Sequence, residues 1–324
     1  MNLENLRGKF LISVFLGMLV VVGLGVYADF PKLVQIISRF DLGLLPAILA
    51  LTLMNYGLRF FKWQYFLRVL DAPPLPTGRR ALIWFSGLSM VITPGKVGEW
   101  LKSYLLREES GMPISESAPT VLGERLSDAL AMALLASGGL ILYGYGWQTL
   151  AAAVVVGCLA VGLSQYRPFA RWAIATAARV RFVKGRVHLL EAFYESTKQL
   201  FHWRVLGLGV LIGVVSWAGE GIAFYLVLVA LGAVPSPQLL VQAVFILSTA
   251  TIAGGLSMVP GGLVVADGGI AGLLLLLGAT HDTTMAAAAT IIIRFATLWF
   301  GVSVGLIALG FVSRRLQAAS QPAK

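Results

Sequence analysis

The sequence predicts an all-α polytopic membrane protein with about six full transmembrane helices and two re-entrant helical hairpins, arranged as an inverted-topology repeat. Three observations carry that expectation. Of 324 residues, 58% are hydrophobic and 12% charged, and the mean hydropathy is +0.83; a soluble domain of this composition has too little polar surface to cover itself. Apolar runs long enough to cross a bilayer, about 20 residues each, recur along the chain. Two further runs are broken by Pro-Gly, and each break is followed at nearly the same distance by an arginine. Arg125 follows Pro94 by 31 positions, and Arg294 follows Pro260 by 34.

Full spans are predicted at 10–28, 42–67, 117–143, 147–164, 204–232 and 284–312. The first follows Arg7 and Lys9 and lacks a small-residue cleavage site, so it reads as an uncleaved span rather than a signal peptide. The stretches 81–109 and 238–280 are interrupted at Pro94-Gly95 and at Pro260-Gly261-Gly262. Proline removes an amide donor and glycine leaves the backbone unconstrained, so both break helices. Broken backbone at membrane depth must be buried in protein or line a wet cavity, because lipid satisfies no polar group. For 238–280 the residues leave two arrangements open: a hairpin, or full spans at 238–258 and 263–280.

Basic residues set the topology. Arg7 and Lys9 place the N-terminus in the cytoplasm, and Arg314, Arg315 and Lys324 place the C-terminus there too. The segment 165–204 carries eight Lys and Arg residues against Glu191 and Glu195, and reads as an amphipathic helix on anionic headgroups. Repeat one then covers about 42–143 and repeat two about 204–312, in opposite orientation, within a single membrane domain. The net charge of +10 belongs to the cytoplasmic loops, and nucleic acid is not an expected partner. The lone Cys158 and three scattered histidines give no disulfide, no metal spacing and no cofactor motif.

Charges within apolar sequence are the candidate site, since each costs at least ~2.5 kcal/mol at the bilayer centre and therefore faces the protein interior with a partner. They are Arg59, Lys62, Glu99, Lys102, Glu124, Arg125, Asp128, Glu220, Asp267 and Arg294. Helical spacing permits pairs Arg125–Asp128 and Glu99–Lys102. Arg294 has no carboxylate among its helix neighbours and needs one from elsewhere, Asp267 or Glu220. Each pair is open to two readings, a substrate contact or a salt bridge that only holds helices together. Arg59, Lys62 and Arg68 also fit snorkelling from a helix end. Trp63, Trp84, Trp100, Trp147, Trp203 and Trp299 fit interfacial belts. No nucleophile–base motif or phosphate loop is present, and an enzymatic role is not expected.

The elements Tyr56-x-x-Arg59-x-x-Lys62-Trp63, Pro94-Gly95-Lys96-Val97-Gly98-Glu99 with Lys102 and Tyr104, Glu124-Arg125-x-x-Asp128, and Pro260-Gly261-Gly262-Leu263 with Arg294 occur in order. Together they resemble the lysylphosphatidylglycerol synthase transmembrane region, a flippase-like family. Val264 and Asp267 depart from the pattern, which has glycine and glutamate there, and Met90 to Thr93 replaces an asparagine-containing stretch. The aminoacyl-transferring domain of larger relatives is absent from this sequence. The resemblance implies translocation of a phospholipid or polyprenyl-linked lipid across a bacterial inner membrane. The expected partners are lipids with phosphate-containing headgroups and, secondarily, lipid-synthesising enzymes. In that reading Arg125 and Arg294 hold a phosphate, aided by half-helix N-termini after Pro94 and Pro260. Arg59, Glu99, Lys102, Glu124, Asp128, Glu220 and Asp267 complete the substrate site. The alternative is a non-transporting scaffold for envelope glycolipid or hopanoid assembly, with the basic segment as its platform.

Overall fold

The computed structural model describes residues 23, 29–93, 99–143, 147–179, 184–257 and 259–320. The predicted first span at 10–28, apart from residue 23, and the first break, Pro94 to Gly98, lie outside the described residues. Those that are described form helices and no strands, and the chain is an all-α membrane protein. In order, leaving aside the single turn Ile114–Ser117, the helices are α1 (Phe30–Ser38), α2 (Leu45–Val69), α3 (Thr77–Leu88), α4 (Leu101–Ser110), α5 (Pro119–Tyr143), α6 (Trp147–Gln165) and α7 (Arg167–Ala177). They continue with α8 (Val187–Leu200), α9 (Trp203–Ala230), α10 (Pro237–Leu256), α11 (Val265–Leu276), α12 (Thr283–Arg294) and α13 (Phe300–Ser320). One π-helical turn, Phe295–Trp299, joins α12 to α13 into one long rod.

Length separates the spanning helices from the short ones. The segments Leu42–Val69, Trp203–Ala230, Pro237–Leu256 and Thr283–Arg315 are each long and apolar enough to cross. At 1.5 Å per residue, the 12 residues of α3 and of α11 cover only about 18 Å, short of the ~30 Å hydrocarbon core. The 20 residues of α10 cover about 30 Å. In the second interrupted stretch the first arm therefore has crossing length and the second does not, which argues against 263–280 as a full span.

Helices α2 and α9 pack antiparallel along most of their lengths. Their crossing is held by a reciprocal clamp: Asn55 Nδ2 donates to the Ser216 carbonyl at 3.0 Å, and Ser216 Oγ donates to the Asn55 carbonyl at 3.4 Å. Around this pair each half reaches into the other. α3 lies against α13, and α10 lies against α5. The core divides accordingly. One apolar cluster joins the start of α2 (Ile48) to Phe224, Ile246, Leu274 and Ile293. The other joins the end of α2 (Trp63, Leu67) to Trp84, Leu105 and Val312. The middle of α2 runs between them, and Tyr56 and Arg59 there line a cavity.

The basic segment is two separate helices, α7 and α8, and not one amphipathic helix; residues 180–183 between them lie outside the described residues. α7 buries only Ala170 and exposes Phe169 and Trp172, whereas α8 docks on α5, α6 and α9. Two of the tryptophans assigned to interfaces are core residues instead: Trp63 and Trp84 are buried. Trp203 is exposed, as a belt residue is.

Candidate functional site

The second break shows how the site is built. After α10 the chain turns through Gly261 (φ 61°) and Gly262 (φ 66°), left-handed conformations that glycine adopts without strain. Val264 follows at φ 71°, ψ −59°, and the Val265 amide donates to the Leu263 carbonyl at 2.9 Å. This is a γ-turn of the rare, strained hand, with a β-branched residue at its centre. α11 then starts at Val265, five positions after Pro260, later than the sequence suggested.

Arg294, at the end of α12, reaches across to this break. Its Nη2 donates to the Gly261 carbonyl at 2.8 Å, and its Nε lies 2.5 Å from Asp267 Oδ1. One guanidinium thus satisfies a carbonyl freed by the break and neutralises the first carboxylate of α11. The partner left open between Asp267 and Glu220 is Asp267.

The first half repeats the arrangement. Arg125, seventh residue of α5, pairs through Nε and Nη2 with both oxygens of Glu99, the carboxylate just beyond Pro94-Gly95. The predicted Arg125–Asp128 pair does not form. Asp128 instead takes Lys62 Nζ at 2.5 Å and Arg59 Nη2 at 3.3 Å. Lys62 is fully buried, so neither cation snorkels. The predicted Glu99–Lys102 pair also fails: Lys102 Nζ lies 2.5 Å from Glu124 Oε2, and Trp84 Nε1 donates to Glu124 Oε1 at 3.1 Å. In both cases the three-residue spacing within a helix loses to a partner on a neighbouring helix that also completes the desolvated hydrogen bonding.

These groups surround a cavity of about 460 Å³. Arg59, Glu99, Arg125, Asp128, Glu220 and Arg294 line it, with both glycines of the second break. Of the nine residues assigned to substrate, Lys102, Glu124 and Asp267 do not line it. Lys102–Glu124 is a buried tie among α3, α4 and α5, and Asp267 stands behind Arg294. Tyr56, Trp100, Trp217 and Thr297 also line the cavity and were not singled out as site residues. Trp217 carries the Arg59 guanidinium over its ring at 5.6 Å. Tyr56 donates its hydroxyl to the Thr297 carbonyl at 2.5 Å, within the π turn. Neither role has a sequence signal, since a tryptophan or tyrosine in an apolar span ordinarily packs.

The rest of the wall is apolar, including Leu88, Val121, Met132, Leu247 and Ile252. Leu122 and Leu256 line the cavity and are also exposed on the outer surface, Leu256 at 78%. Arg125 keeps 32% of its side chain accessible while Glu99 is buried. The arrangement offers guanidinium donors to an anion inside a chamber whose rim is hydrocarbon.

A sequence profile for the family described as "Lysylphosphatidylglycerol synthase TM region" matches residues 14–305. Two curated relatives from Methanothermobacter thermautotrophicus, each called "UPF0104 membrane protein", are also similar. One is 25% identical over 334 residues, covering 93% of this chain and 93% of the relative. The other is 27% identical over 236 residues, covering 66% and 68%.

Proposed function

The chain belongs to the lysylphosphatidylglycerol synthase TM region family, and from that premise we propose that it is a lipid translocase that performs no chemistry on its cargo. The observation that carries the reading is the cavity itself. Two arginines, each anchored by the carboxylate beyond its own break, face a chamber whose rim includes exposed leucines. An anionic headgroup fits the guanidinium pair by bidentate, charge-assisted hydrogen bonds. Its hydrocarbon tails stay outside, against Leu122 and Leu256. The tail need not enter a polar space, nor the headgroup an apolar one.

The reciprocal packing supports an inverted repeat in which α2, α3, α4 and α5 correspond to α9, α10, α11 and α12–α13. In this reading the broken segments are the moving gates, and rocking one half against the other exposes the cavity to alternate leaflets. Basic α7 and both termini lie on the cytoplasmic side of the cell membrane, by the distribution of Lys and Arg.

The test is movement of a fluorescent phospholipid between leaflets of proteoliposomes. Arg125→Ala and Arg294→Ala are expected to slow it about tenfold or more, the loss of one charge-assisted contact of roughly 1.4 kcal/mol. Because Arg294→Ala strands Asp267, the double change Arg294→Met with Asp267→Asn serves as its folded control and is expected to be equally slow. Wild-type rates in these variants would sink the arginine clamp. No lipid movement by wild-type protein, together with capture of lipid-synthesising enzymes through α7–α8, would favour the scaffold reading.

A further inference from the structure

The ten charges embedded in the bundle comprise five cations and five carboxylates. All five cations are engaged by four of the acids: Arg125 by Glu99, Lys102 by Glu124, Arg294 by Asp267, and both Arg59 and Lys62 by Asp128. The fifth acid is Glu220 on α9. Among the described residues it has no ion pair, it is 4% exposed, it lines the cavity, and its Oε2 has no hydrogen-bond donor.

Its surroundings supply no direct ion pair, and the one cation that acts on it, Arg59, is in contact with Asp128 instead. From α2 come Tyr56, whose hydroxyl is bound to the Thr297 carbonyl, Arg59, which is shared with Asp128 and lies over Trp217, and Lys62, which is held by Asp128. From α5 come Arg125 and Asp128, both paired, with Glu124 turned to Lys102 and Trp84. α12 contributes Arg294, engaged with Asp267 and Gly261. α10 carries no titratable side chain. Asp41, whose amide donates to the Ala230 carbonyl, lies at one end of α9. Glu191, Tyr194, Glu195 and Lys198 of α8 pack toward its other end. A carboxylate buried with no direct ion pair and one oxygen without a donor is costly to keep charged, and Arg59, the cation that acts on it, is shared with Asp128.

We propose that Glu220 is a proton-binding site on the cavity wall, and that the proton binds as an anionic headgroup enters. This rests on the lipid-translocase reading. With Glu220 ionised the ten charges sum to zero, so a phosphodiester leaves the chamber with a surplus negative charge. With Glu220 protonated the sum is +1, and one phosphodiester restores neutrality. Each ligand thereby favours the other, and linkage makes the effect reciprocal. A hydronium ion reaching the cavity gives its proton to the Glu220 carboxylate: one O–H bond of hydronium breaks, one forms on the carboxyl oxygen, and a neutral water is left.

Two measurements on the full chain test this. Difference infrared spectroscopy is expected to show a carboxylic-acid carbonyl band that disappears on raising the pH and is missing in Glu220→Gln. Binding of short-chain phosphatidylglycerol, read by tryptophan fluorescence, is expected to weaken about tenfold per pH unit over the range where that band is lost, as one linked proton requires. Glu220→Gln is expected to bind tightly at every pH. A wild type with no such band, or the same pH curve in both proteins, overturns the proposal. If the band and the linkage are present but no lipid crosses the bilayer, translocation fails and the proton site stands. If lipid crosses with Glu220 ionised throughout, the reverse holds.

Discussion

Arg294 and Arg125 do the same work at two places: each spans from a helix interior to the first carboxylate beyond a break, 27 and 26 positions earlier. Not every buried pair is equivalent to these. Lys102–Glu124 lies off the cavity, so its removal separates stability from function. Breaking it by Lys102→Met alone leaves Glu124 uncompensated and is expected to destabilise the protein by about 3–5 kcal/mol, whereas Lys102→Met with Glu124→Leu recovers most of that loss. Thermal unfolding in detergent reads the difference, and on the proposed translocase reading the double variant moves lipid at the wild-type rate. Val264 offers the opposite change. Its γ-turn is strained for a β-branched residue, so Val264→Gly is expected to stabilise the fold by about 1 kcal/mol. A lower melting temperature in that variant would show that the turn is supported by contacts of the valine side chain.

At the level of elements, the end of α3 and the second break are held by close backbone approach as well as by charge. A Cβ on Gly305 of α13 would collide with the Ser89 backbone amide, at the end of α3. Gly305→Ala must therefore push α13 off the approach to the first break, and a loss of about 1–3 kcal/mol is expected, the usual range for overpacking. Equal melting temperatures for Gly305→Ala and wild type would show that the helices can separate freely there. The π turn after Arg294 is the other irregular element. The Tyr56 hydroxyl occupies the Thr297 carbonyl within it, so Tyr56→Phe is expected to cost about 1 kcal/mol while leaving the ring packing near Phe300 in place.

Across the whole molecule, the two halves meet through α2 and α9 and exchange their broken segments: α3 onto α13, α10 onto α5. A cavity assembled this way belongs to neither half, and on the proposed translocase reading its two arginines act on one ligand. Arg125→Ala and Arg294→Ala are therefore expected to be non-additive, the double variant translocating lipid no more slowly than the worse single one. Rates that multiply would indicate two independent sites.

Membrane residence, the helical class and the extents of α2, α5, α6 and α9 were legible from composition and run length, because lipid admits only helices whose backbone is internally satisfied. The family was legible in its ordered motifs, and so was the set of ten charges that the fold draws inside the bundle. Their partners were not. Helical spacing proposed Arg125–Asp128 and Glu99–Lys102, while the fold joined Arg125 to Glu99, Lys102 to Glu124, and Asp128 to Lys62 and Arg59. A buried ion is stabilised by whichever counter-charge completes its desolvated shell, and that choice depends on how helices distant in sequence pack. For the same reason only the tertiary structure could show that Glu220, among the described residues, has no direct ion pair. A list of charges along a chain states how many there are; their pairing exists only once the helices have met.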